Sequence, residues 1–124
     1  MKHSVYFNSR DELLKIDLSS VAYFEANANY TKIVSVNGQM DMIGMSLGKM
    51  EEFLALQFKD SPGSFVRIGK RYIVNLRFVY KINTLKQELI LSDQKSFSMT
   101  LNISKVALKA LKELISPSTG INRN

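Results

Sequence analysis

Hydrophobic and polar positions alternate in short runs along most of this chain, and in two places they switch to a helical period. Val5–Asn8 and Leu13–Ile16 read as strands joined by the polar turn Ser9-Arg10-Asp11-Glu12. Val21–Ala26 is rich in β-branched and aromatic residues. Tyr30–Val36 alternates, with Tyr30, Lys32, Val34 and Val36 on one face and Thr31, Ile33 and Ser35 on the other. Asn37-Gly38 follows, two residues that tolerate positive φ and predict a tight hairpin turn into Gln39–Ile43. Ser46 is then placed to cap a helix whose apolar stripe is Leu47, Met50, Phe53, Leu54 and Phe58, with Asp60-Ser61-Pro62-Gly63 as its stop. Further strands are predicted at Phe65–Ile68, Tyr72–Leu76, Phe78–Ile82, Glu88–Ser92 and Ser96–Leu101, the last two joined by a turn at Asp93-Gln94. Ser104 caps a second helix over Lys105–Ile115. Ala107, Leu108, Leu111, Leu114 and Ile115 face inward there, while Lys105, Lys109 and Lys112 lie on the other side. Pro117 and the polar residues up to Asn124 predict a frayed end.

This is a mainly β chain with two helices. Parallel pairing would need helices between most strands, so the sheets are expected to be antiparallel. The length, 124 residues, fits a single domain over 1–124 with its core between about residues 5 and 115.

Composition narrows the chemistry. The chain has no cysteine, which excludes disulfides, thiolate metal sites and cysteine nucleophiles together. Its one histidine, His3, lies at an N-terminus expected to be mobile, so zinc sets and Ser-His-acid arrangements cannot be assembled. Asp11, Glu12, Asp17 and Glu25 read as solvated turn and strand-end acids rather than a glycosidase pair. Gly44-Met45-Ser46-Leu47-Gly48 lacks the lysine and spacing of a phosphate loop. No catalytic site, cofactor, metal or small-molecule substrate is expected. No apolar run is long enough for a membrane span and no secretory leader is evident, so the expected location is the cytoplasm.

The net charge is +6, and it is not spread evenly. Residues 61–87 hold Arg67, Lys70, Arg71, Arg77, Lys81 and Lys86 with no acid among them. A basic segment of this kind suits a polyanion. Lys and Arg give affinity by displacing counterions from phosphates, and specificity needs bidentate side chains at base edges. Arg71, Asn29 and Asn102 stand at three separated turns or strand ends, as a reader built on loops requires.

Three segments occur in order that together resemble the LytTR family of bacterial DNA-binding domains. They are Ile16-Asp17-Leu18-Ser19-Ser20-Val21-Ala22-Tyr23-Phe24-Glu25-Ala26 with Asn29-Tyr30-Thr31-Lys32-Ile33, then Met45-Ser46-Leu47-Gly48-Lys49-Met50-Glu51-Glu52-Phe53-Leu54, and Phe65-Val66-Arg67-Ile68-Gly69-Lys70-Arg71-Tyr72-Ile73-Val74-Asn75-Leu76 with Val79-Tyr80-Lys81-Ile82. The resemblance covers about Val5 to Ile115. It implies an elongated antiparallel β–β–β sandwich and sequence-specific binding of duplex DNA by loops entering successive major grooves. It further implies a transcriptional regulator on tandem direct repeats, one protomer each, with weak homodimerisation. Such domains commonly follow a phosphoacceptor receiver domain, which this sequence does not contain. Residue by residue, it points to Asn29, Tyr30, Thr31 and Lys32 in the first recognition loop, to Arg67, Lys70 and Arg71 in the third segment, and to Asn102 and Lys105 before the last helix. Two departures stand out. Gly69-Lys70-Arg71 replaces a frequent His-Arg-Ser, and Asn102 falls where arginine often stands, which shifts base preference from guanine towards adenine. Arg67 suits an ion pair as well as a phosphate, and Asn75 suits a side-chain tether of a turn more than a DNA contact. Two other functions stay open: a protein-interaction adapter with the same fold and weakened DNA binding, and an RNA-binding module stacking bases on Tyr30, Tyr72 and Phe78.

Overall fold

The structure, a computed structural model, describes residues 3–61, 64–116, 121 and 123. The Pro62-Gly63 helix stop, Pro117 and most of the frayed end lie outside the described residues. The chain divides into two compact units, Met1–Phe78 and Val79–Asn124.

In the first unit, β1 (Ser4–Asn8) and β2 (Leu13–Asp17) form an antiparallel hairpin, with Ser4 opposite Asp17 and Asn8 opposite Leu13. Asp17 then reverses the chain. Its carboxylate accepts from the Ser19 amide at 3.1 Å, the Ser19 hydroxyl at 2.7 Å and the Ser20 hydroxyl at 3.1 Å, capping a 3-10 turn at Leu18–Ser20. Five strands follow: β3 (Val21–Asn27), β4 (Tyr30–Ser35), β5 (Met40–Ile43), β6 (Phe65–Ile68) and β7 (Tyr72–Asn75). They make one antiparallel sheet in the order β5-β4-β3-β7-β6. β3 carries a bulge between Val21 and Tyr23, where Val21 and Ala22 are consecutive and both fully buried.

One face of the sheet presents Phe24, Ile33, Ile43 and Ile73 to the core. Helix α1 (Leu47–Gln57) covers it through Leu47, Met50 and Leu54, and the β1–β2 hairpin adds Val5 and Ile16. Full burial of such side chains stabilises by about 1.5–3 kcal/mol each. Phe53 and Phe58 complete the expected helical stripe at its margins, against Phe7 (5.6 Å between ring centroids) and Phe65 (5.2 Å). His3 is not loose: its ring lies tilted against Phe58 at 4.4 Å between centroids, and its carbonyl accepts from the Leu18 amide. Both edge strands turn a charge towards the core side of the sheet. Asp41 on β5 sits opposite Ile33, and Arg67 on β6 sits opposite Ile73.

The second unit holds β8 (Val79–Asn83), β9 (Glu88–Ser92) and β10 (Ser98–Asn102), an antiparallel sheet in the order β10-β9-β8, and helix α2 (Lys105–Ile115). Leu89, Leu91 and Leu108 are fully buried, with Leu101, Ile103 and Leu111 beside them.

Mainly β, antiparallel and two helices are all as the pattern predicts, and Ser46 and Ser104 cap the helices as expected, accepting from the Lys49 and Ala107 amides. Four details differ. Asn37-Gly38 lies in a wider connection, where Gly38 alone has positive φ (89°) and Asn37 accepts from the Gln39 amide through its side chain. β7 stops at Asn75 and a 3-10 turn at Leu76–Phe78 precedes β8, because the Asn75 side chain accepts from the Arg77 amide at 3.1 Å. β10 begins at Ser98 because the Asp93 carboxylate gathers the amides of Lys95, Ser96 and Phe97. Leu114, expected inward, is 62% exposed. Helix α2 rests chiefly on β8, an edge strand of a narrow sheet, and that support buries the row through Leu108 and Leu111 only.

Candidate nucleic-acid interface

The sheet order brings two distant turns together. β3 lies between β4 and β7, so the β3–β4 turn at residues 28–29 and the β6–β7 turn at residues 69–71 share one end of the sheet. They are joined directly, since the Ala26 amide donates to the Arg71 carbonyl at 2.8 Å. Both turns need left-handed backbone. Gly69 has φ 62°, where a side chain would cost about 1–2 kcal/mol, which accounts for a glycine at a position the resemblance fills with histidine. Ala28, at φ 55°, adopts the same region without being glycine.

This end of the sheet gathers Asn29, Tyr30, Lys32, Lys70 and Arg71. Asn29, Tyr30, Lys70 and Arg71 are exposed and Lys32 is half-buried. Tyr30 is 53% exposed, and its ring lies beside Gly44, where a Cβ would sit 3.7 Å from its Cε1. Thr31 is different. Its side chain is fully buried and its hydroxyl donates to the Met45 carbonyl at 2.7 Å, so it fastens the β5–α1 connection and offers a ligand nothing. Arg67 is also engaged: Nη1 lies 3.1 Å from Glu51 Oε1 on α1, and Nη2 donates to the Lys70 carbonyl at 3.0 Å. It braces the β6–β7 turn against the helix. Asn75 is buried, and its amide donates to the Val21 carbonyl at 2.9 Å, which makes it a tether between β7 and β3. Asn102 and Lys105 belong to the second unit. Asn102 ends β10 opposite Glu88, Lys105 opens α2, and both are exposed.

The residue that sequence reasoning misplaces is Glu25. It is not a solvated acid; it is 9% exposed, in the middle of the sheet, opposite Lys32 on β4 and Tyr72 on β7. Oε1 lies 3.2 Å from Lys32 Nζ, and Oε2 accepts from Arg71 Nε at 2.8 Å and lies 2.7 Å from Nη2. Arg71 also lies over the Tyr72 ring at 5.5 Å, and Tyr72 meets Tyr23 edge-on at 5.8 Å. The hydrogen bond that Arg71 donates to Glu25 raises the Arg71 pKa further, so this guanidinium stays charged at any working pH. Burial first, and the Glu25 charge second, push the Tyr23 and Tyr72 phenols up, so both remain neutral donors. A signal existed in the sequence: a two-residue turn at 28–29 forces Glu25 and Lys32 into register across the hairpin.

Among the described residues no three His, Asp or Glu side chains group as metal ligands. No described helix is long and apolar enough to cross a membrane. No curated protein matches the chain. A solved structure from Bacillus cereus, the LytTr DNA-binding domain of a protein described as a methyl-accepting/DNA response regulator, is similar in fold. Its TM-score is 0.63 at 20% identity, over 90% of this chain and 95% of that one. The family model of the LytTr DNA-binding domain matches residues 11–116. With nearly the whole chain matched and the mainly β fold shared, this protein belongs to the LytTr DNA-binding domain family.

Proposed function

We propose that the chain binds duplex DNA sequence-specifically, with the β3–β4 and β6–β7 turns entering the major groove, and that it acts as a transcriptional regulator without catalytic activity. The observation that carries this reading is the gathering of Asn29, Tyr30, Lys32, Lys70 and Arg71 at one end of one sheet. Lys70 supplies phosphate affinity, and Arg71 and Asn29 supply bidentate readers of base edges. Arg67 and Thr31 act indirectly, by holding the two turns. Asn102 and Lys105 form a second contact from the other unit. On this reading the protein works in the cytoplasm, on tandem direct repeats with one chain per repeat, and self-associates weakly. Family membership fits an output domain governed by a receiver.

The adapter reading draws on a specific observation: Glu25 neutralises part of the charge that Lys32 and Arg71 would bring to DNA. The RNA reading loses support, because Phe78 is 8% exposed and Tyr72 packs on Tyr23, leaving Tyr30 as the exposed ring of the three.

Selection from a randomised duplex library, followed by anisotropy titration at several salt concentrations, tests the proposal. A repeated motif bound at least 1,000-fold tighter than random DNA is expected. Lys70→Ala should weaken all sequences alike and reduce the salt slope by about one. Equal binding of every sequence, lost steeply with salt, would move the adapter reading forward. Preference for single-stranded RNA over the duplex in competition would favour the third.

A further inference from the structure

We propose that Glu25 is a positioning residue that sets Arg71 as a reader of guanine and restrains binding to random DNA; this rests on the DNA-binding reading above. An arginine has five N–H donors in a planar fork. Here Nε donates to Glu25 Oε2 at 2.8 Å, and Nη2 lies 2.7 Å from the same oxygen. Both hydrogens of Nη1 and the outer hydrogen of Nη2 remain. They form the end of the fork, and the Arg71 side chain is 68% exposed. Two parallel donors at that end match the O6 and N7 acceptors of guanine in the major groove.

The plane of the fork is fixed from two further sides. Tyr72 lies beneath the guanidinium and Tyr23 supports Tyr72. Glu25 itself is held in place, because Oε1 is taken up by Lys32 and the residue is 9% exposed at the centre of three strands. Arg71 therefore meets DNA already oriented, and less rotamer freedom is lost on binding. A serine at this position, as in the pattern the chain resembles, could not use such a carboxylate in this way.

The same carboxylate has an electrostatic effect. Two cations share one buried negative charge, so the cluster presents one net positive charge rather than two. Random DNA is bound through net charge, whereas a guanine contact depends on geometry. Glu25 thus lowers the first while sharpening the second.

The test uses the full chain and a site selected from the duplex library, with its guanines replaced one at a time by 7-deazaguanine. In the unaltered protein, one replacement should weaken binding about tenfold, as expected for one half of a bidentate contact. Glu25→Gln keeps the shape and removes the charge. It should bind random DNA more tightly with a salt slope steeper by about one, and lose most of the 7-deazaguanine effect. In an Arg71→Ala background Glu25→Gln should leave the guanine effect unchanged, since the reader is gone. A merely structural Glu25 would instead weaken all sequences together, without a steeper slope, in both backgrounds, and that result overturns the proposal. Should Glu25→Gln not fold, Arg71→Lys at its exposed position decides. It should keep the salt slope and lose the 7-deazaguanine effect, and retention of that effect overturns the assignment. Absence of any sequence preference in the unaltered protein overturns the DNA reading, and this inference with it.

Discussion

Asn75 offers a sharp test of whether a residue within the most DNA-like segment of the chain serves the fold or the ligand. Its side chain is 5% exposed and makes two hydrogen bonds. The amide donates to the Val21 carbonyl at 2.9 Å, across to the β3 bulge, and Oδ1 accepts from the Arg77 amide at 3.1 Å in the turn after β7. Asn75→Ala removes both. Leaving a buried acceptor at fully buried Val21 without this donor costs about 1–3 kcal/mol, and the half-buried Arg77 amide adds roughly 0.5–1.5 kcal/mol. The expected loss is therefore about 2–4 kcal/mol, or a Tm lower by roughly 10 °C for a chain of this size. Urea unfolding followed by far-UV circular dichroism measures it, and DNA affinity per folded molecule should be unchanged. Asn75→Asp adds a second check. The new carboxyl faces a carbonyl in a buried site, so its folded pKa is raised and its protonated form is the one that bonds. Relative to the unaltered chain, the stability of this variant should be greatest below about pH 4, the unfolded carboxyl value, and decline as pH rises through the folded one. Loss below 0.5 kcal/mol for Asn75→Ala, or weakened DNA binding at unchanged stability, would refute the tether and make Asn75 a DNA contact instead.

Other substitutions probe neighbouring claims. Ala28→Gly, at φ 55°, should leave stability unchanged or raise it by up to about 1 kcal/mol, and Ala28→Val should lower it by more than 1 kcal/mol; thermal melts would show the order. Leu108→Ala in α2 should cost about 2–5 kcal/mol by urea titration, while Leu114→Ala, at an exposed site, should fall within about 0.5 kcal/mol. Hydrogen bonds from Ser96, Lys95 and Phe97 hold the Asp93 carboxyl well below its usual range. Its support of the β9–β10 turn is thus full above about pH 4 and is lost as pH falls further. Asp93→Asn should flatten the acid limb of the stability profile.

What was legible in the sequence was local. Ser46 and Ser104 announce the helix starts because a cap acts over three residues. β6 and β9 occupy their predicted spans because alternation is bounded by turn residues on both sides. What was not legible depends on partners far along the chain. The run from Tyr72 to Ile82 looks like two strands with almost no break, and the turn within it is made by Asn75, whose anchor on Val21 is 54 residues away. Glu25 can be paired with Lys32 through the turn at 28–29, but not with Arg71, 46 residues on. Arg67 is drawn off by Glu51, 16 residues earlier. The burial of Thr31 is legible locally, because alternation puts it on the face opposite Tyr30 and Lys32. Of the candidate site, the segments were visible and the division of labour within them was not.

The inward charges at the two edges of the five-stranded sheet have a consequence for how such proteins coexist. An edge strand invites another chain to add to the sheet, and domains placed side by side at high local concentration are exposed to that hazard. Asp41 and Arg67 each keep a buried polar atom without a hydrogen-bonding partner, Oδ2 in one and Nε in the other. A strand added at either edge would deepen the burial of those atoms and raise the cost of leaving them unmatched. Each margin of the sheet thus carries a built-in penalty against an added strand, from a carboxylate at β5 and a guanidinium at β6.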